Sequence, residues 1–195
     1  MLNKDINYIV SGLERSGTSL MMQMLHRGGL LVAFDNLRPA DEHNPRGYYE
    51  LAGGKIISRL IKGDFDIQLY KGRIIKVTAY GLRFLPKSNY RILYMIRDTE
   101  EILKSMKKMG ADVTEVGEDG MLLDKLNMFS LELMQGRDDM KHIKIKYRDL
   151  ISNPRGEMER VSHFLGLPFD INAAIKAVDK SLYRNRSSIQ ESFNS

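Results

Sequence analysis

With 195 residues, 43% of them hydrophobic and 28% charged, the chain has the length and composition of one ordinary globular domain with a substantial core. It contains no cysteine, which excludes disulfides, thiolate metal sites and a cysteine nucleophile. A net charge of +5, scattered rather than striped, favours small anions and argues against a nucleic-acid partner.

Read in chain order, Ile6–Val10 is a buried strand, and Ser16–Arg27 is a helix stopped by Gly28-Gly29. Leu30–Phe34 reads as a short second strand, Asp35–Tyr49 as a polar loop and Glu50–Lys62 as helical. Arg73–Val77 and the apolar run Tyr90–Ile96 are further strands. Asp98-Thr99-Glu100-Glu101 is a helix start, so a helix is predicted over Thr99–Lys108. Gly110–Gly120 reads as an acidic loop, Met121–Gln135 as a helix and His142–Tyr147 as a strand. Asn153-Pro154 caps and opens a helix to Leu165, stopped by Gly166-Leu167-Pro168, and a last helix spans Ile171–Val178. Strands alternating with helices predict a three-layer α/β domain over residues 1–195, a mainly parallel sheet flanked by helices. No apolar run reaches the ~20 residues of a membrane helix. The N-terminus does not read as a signal peptide, so a cytoplasmic location is expected, and the state of assembly is left open.

Gly12-Leu13-Glu14-Arg15-Ser16-Gly17-Thr18-Ser19 lies between the first strand and the first helix. That is the place of a phosphate-binding loop, where backbone N–H groups and the positive end of a helix converge on an anion. The spacing nearly matches the nucleoside-triphosphate loop G-x-x-x-x-G-K-[ST], but Thr18 follows Gly17 directly. The missing lysine is the one that reaches the β- and γ-phosphates. A nucleotide with a different 5′ group is therefore expected.

Four segments resemble the sulfotransferases that use 3′-phosphoadenosine 5′-phosphosulfate (PAPS). Arg15-Ser16-Gly17-Thr18-Ser19 is similar to the family's 5′-phosphosulfate loop. Asn44-Pro45-Arg46-Gly47-Tyr48-Tyr49-Glu50 is similar to a segment of its bacterial branches. Ile96-Arg97-Asp98 with Ser105 resembles the 3′-phosphate element. Tyr147-Arg148-Asp149-Leu150, with Asn153-Pro154 and Phe164-Leu165-Gly166-Leu167-Pro168, resembles the family's closing stretch. The resemblance implies a phosphate-loop-type α/β fold and transfer of a sulfonate group from PAPS to a hydroxyl or amine of a small-molecule or carbohydrate acceptor. Arg15, Ser16, Gly17, Thr18 and Ser19 would hold the phosphosulfate, with Arg15 neutralising charge on the bridging oxygen and Lys76 assisting the transferring group. Arg97 and Ser105 would hold the 3′-phosphate, Tyr147 would lie near adenine, and Arg184 or Arg186 would approach the nucleotide from the C-terminal side. No metal is implied, and no His, Asp and Glu cluster has ligand spacing.

The proton acceptor departs from the pattern. Cytosolic members of the family carry Lys-x-His after the middle strand, where this chain has Lys76-Val77-Thr78. Threonine is no base at neutral pH. Glu50 is the first candidate and His43 the second; His26, His142 and His163 read as structural. Asp35–Tyr49 and Gly110–Gly120 are the expected walls of the acceptor site. Two rival readings stand beside the first: a small-molecule kinase, and a nucleotide-binding relative without catalysis.

Overall fold

The computed structural model describes residues 1–42, 44–111 and 116–179, apart from the side chains of Val116 and Gly117. Four parallel strands form one sheet in the order β2-β1-β3-β4: β1 (Asn7–Gly12), β2 (Ile74–Lys76), β3 (Tyr90–Ile96) and β4 (Met140–Lys146). The helices are α1 (Thr18–Arg27), α2 (Ile56–Lys62), α3 (Thr99–Lys108), α4 (Val116–Gly136), α5 (Tyr147–Ser152), α6 (Pro154–Leu165) and α7 (Ile171–Ile175). No described helix is long and apolar enough to cross a membrane.

The period of two along each strand divides the core into two layers. Tyr8 and Val10 of β1, with Leu93 and Met95 of β3, face α1, α5 and α6; there they meet Met21, Met22, Met24, Leu150 and Met158. Ile9, Ile92 and Tyr94 face the other way, toward Leu60 of α2, Ile102 of α3 and Met134 of α4. Each large side chain buried this way contributes about 1.5–3 kcal/mol. The three-layer α/β architecture predicted from the sequence is thus observed.

Several elements differ from expectation. Leu30–Phe34 makes only an isolated bridge, Val32 to Ile74, because Asp35 turns away to bond the Glu50 carbonyl. The helix expected from Glu50 begins at Ile56, since Gly53 and Gly54 take positive φ angles of 59° and 84°. Helix α4 starts at Val116, inside the segment read as a loop. Tyr147 opens α5 instead of ending a strand, and the last described helix stops at Ile175.

Candidate active site

The turn after β1 is shaped by two glycines. Gly12 (φ 141°) passes so close to β3 that a Cβ would lie 2.6 Å from the Met95 carbonyl oxygen, and at Gly17 (φ 101°) a Cβ would lie 2.4 Å from the Tyr147 ring. Arg15 also takes a positive φ, 65°, a strained conformation for a side-chain-bearing residue. Ser16 is fully buried and its hydroxyl donates to the Leu13 carbonyl at 2.7 Å. Its side chain therefore braces the turn instead of facing a ligand. Thr18 and Ser19 open α1, and the first N–H groups of a helix have no intrahelical acceptor. The result is a backbone-lined cradle for an anion.

On one side of the cradle, at the ends of β3 and β4, lie Arg97, Ser105 and Tyr147. Arg97 donates through Nε to Glu101 at 2.9 Å, and both side chains are almost wholly buried. Its Nη1 donates to the Arg15 carbonyl at 3.1 Å, and its guanidinium lies 4.4 Å from the Tyr147 ring centre. Arg15, expected on the transferring group, instead donates its Nε to Ser105 Oγ at 3.0 Å. Burial lowers the Arg15 pKa, and the charge of Arg97 adds in the same direction. Two guanidiniums thus converge beside one hydroxyl, an arrangement that a phosphate would relieve.

On the other side, at the end of β2, Lys76 is buried. Its Nζ lies 2.8 Å from Glu50 Oε1 and donates to the Tyr48 carbonyl at 2.5 Å and to Ser19 Oγ at 3.3 Å. Burial depresses the Lys76 pKa, against the pull of Glu50. Arg38 donates to the other Glu50 oxygen at 3.0 Å and lies over the Tyr48 ring at 3.6 Å; the Tyr48 hydroxyl donates to Asp41 at 2.6 Å. Positive φ angles at Tyr49 and Ala52 turn this segment as it meets Lys76. Further out, Arg46 donates to the Ala177 carbonyl at 2.5 Å and to Asp179 at 3.1 Å.

Both sides face one cavity of about 560 Å³, lined among others by Arg15, Thr18, Ser19, Glu50, Lys76, Arg97, Ser105 and Tyr147. The sequence-predicted residues are therefore brought together, Ser16 excepted. His43, Arg184 and Arg186 lie outside the described residues. His26 packs edge-on against Phe34 and Tyr49, in a structural role. Sequence reasoning missed Arg38, for which no motif gives a signal. No group of three or more His, Asp or Glu among the described residues is placed to hold a metal.

Residues 78–171 match the family model described as "Sulfotransferase family". Over that span the sequence is similar to that family. The span contains Arg97, Ser105 and Tyr147, whereas the cradle and Lys76 precede it. No curated protein matches the chain in sequence. Among solved structures, the sulfotransferase domain of an olefin synthase from Synechococcus PCC 7002 is 16% identical (TM-score 0.58), with 100% of this chain and 85% of that one covered. A sulfotransferase from Mycobacterium tuberculosis is 14% identical (TM-score 0.55; 100% and 75% covered). A mouse sulfotransferase complexed with PAP is 16% identical (TM-score 0.55; 95% and 68% covered). These similarities show the sulfotransferase fold, and the cradle described above lies at the carboxyl end of its parallel strands.

Proposed function

We propose that the protein is a PAPS-dependent sulfotransferase acting on a hydroxyl- or amine-bearing small molecule or carbohydrate. The observation that carries this reading is the cavity in which an anion cradle lies between two cationic clusters. The donors fit a ligand with two separate anionic ends. The N–H groups of Gly17, Thr18 and Ser19 suit a 5′-phosphosulfate, and Arg97, Ser105 and Arg15 suit a 3′-phosphate. Tyr147, packed between Gly17 and Arg97, offers a ring beside them for adenine. When bound, PAPS supplies a sulfonate on an activated phosphate. Lys76 and the cradle would stabilise the negative charge left on the departing oxygen.

Glu50 is the described carboxylate that touches Lys76, and it lines the same cavity. We assign it the proton of the acceptor hydroxyl, Lys76 and Arg38 holding its carboxylate in place. A cytoplasmic setting suits a cysteine-free chain with a soluble nucleotide co-substrate. The same two cations that hold Glu50 also favour a second reading, a binding protein without turnover, because both carboxylate oxygens are already engaged.

Calorimetric titration with adenosine 3′,5′-bisphosphate, against AMP and ATP–magnesium, tests the site. Tight, magnesium-independent binding that AMP does not match is expected; a preference for ATP–magnesium would transfer the case to a kinase. Sulfonate release from PAPS in the presence of hydroxylated acceptors then separates an enzyme from a binding protein.

A further inference from the structure

The two cations on the Glu50 carboxylate are not equivalent. Lys76 holds Oε1 at 2.8 Å and Arg38 holds Oε2 at 3.0 Å. A base has to receive a proton, so one of these contacts has to open when an acceptor arrives. The Lys76 side chain is 4% exposed, and its Nζ is also fixed by the Tyr48 carbonyl and Ser19 Oγ. Withdrawing it would leave a buried ammonium and a carboxylate apart, the costly way to break an ion pair. The Arg38 side chain is 40% exposed, and an ion pair as open as this one is worth little. The contact that can be exchanged is therefore the one on Oε2.

The chemistry of a guanidinium sets what can exchange it. Arg38 lines the cavity, and its guanidinium lies 3.6 Å from the Tyr48 ring centre. Stacking of this kind steadies the group while its edge of N–H donors still reaches a ligand. A neutral hydroxyl or amide does not draw a guanidinium from a carboxylate. A second oxyanion does, through two parallel N–H···O bonds. Glu14 and Glu42 also line the cavity, so the anion is placed by this directed contact and not by a general positive field. Arg46 is already engaged by the Ala177 carbonyl and Asp179. Resting on the sulfotransferase reading above, we propose that the acceptor carries an oxyanion, a carboxylate or a sulfate, within a few bonds of its reacting hydroxyl. That oxyanion takes Arg38 from Glu50, and the hydroxyl proton passes to the freed Oε2. The acceptor thus completes its own base, while a neutral alcohol leaves Oε2 paired with Arg38.

Calorimetric titration of matched probes into protein saturated with adenosine 3′,5′-bisphosphate tests this. Glucuronate against glucuronamide and mandelate against mandelamide examine the carboxylate; glucose 6-sulfate against glucose examines the sulfate. In at least one pair the anion should bind about tenfold more tightly than its neutral partner, the worth of a charge-assisted contact. Arg38→Gln should abolish that preference, and Arg38→Lys, which keeps the charge without the fork, should restore part of it. Glu50→Gln removes the competing carboxylate and should widen the preference. No preference in any pair, a preference that survives Arg38→Gln, or one that narrows in Glu50→Gln overturns the proposal. Affinity for adenosine 3′,5′-bisphosphate should stay within a few-fold in every variant. If the natural chain does not bind that nucleotide, the sulfotransferase reading falls together with this one; if it binds the nucleotide but shows no preference for the anions, only this one falls.

Discussion

The two sides of the cavity are built by different means. The side of Arg97, Ser105 and Tyr147 rests on strand and helix ends, with buried side chains and a glycine at each close approach. The side of Arg38, Tyr48 and Glu50 is an irregular segment whose shape depends on positive φ angles at Tyr49 and Ala52 and on side-chain contacts with Lys76. A nucleotide presents the same phosphates every time, so regular elements suffice to meet it. An acceptor differs from one enzyme to the next, and loops that vary freely carry that choice.

The sharpest way to separate the two sides is Glu50→Gln. Turnover should fall by about 10²–10⁴-fold, the usual worth of a positioned base, while affinity for adenosine 3′,5′-bisphosphate stays within a few-fold. A variant that keeps its rate would remove Glu50 from the mechanism. Arg97→Ala attacks the other side. It leaves the Glu101 carboxylate buried without this cation, at a cost of about 3–5 kcal/mol, so a lower Tm should accompany the loss of 3′-phosphate discrimination over AMP; retained discrimination would refute the assignment.

Gly17→Ala is smaller. The added methyl meets the Tyr147 ring at 2.4 Å, so nucleotide affinity should drop about 10–100-fold, for 1–3 kcal/mol of strain. An unchanged titration curve would show that the cradle does not touch the ligand. A control lies at the far end of the strands, where Arg137 holds the Asp139 carboxyl down at about 2. That lowered value contributes stability above the ordinary pKa of 3.8 and loses it as the pH falls through about 2. Asp139→Asn should flatten the acid unfolding curve between those limits and alter neither side of the cavity. An effect on nucleotide binding would mean that the two ends are coupled.

Where the determinants are local, the sequence is enough to read the structure. Asp98 and Asn153 cap α3 and α6 by bonding the N–H groups three residues on, and both helices span the predicted residues. The run Tyr90–Ile96 is a strand because both of its faces are buried. The cradle was legible because its glycines have fixed spacing. Arg38 was not, since its value arises from stacking on Tyr48 and pairing with Glu50, which no spacing encodes. Val32 shows the same limit: its segment has strand composition, but the bond from Asp35 to Glu50 draws the chain away after a single bridge.

Arg46 joins the segment before Glu50 to the Ala177 carbonyl and the Asp179 side chain, 131 and 133 positions later. The mouth of the cavity is therefore a seam between an early and a late part of the polypeptide. During synthesis the sheet and its anion cradle have all their strands once β4 has emerged, but Arg46 has neither of these partners until residues 177–179 are made. A chain cut short before residue 177 would keep the cradle and lose both bonds that Arg46 makes across the mouth.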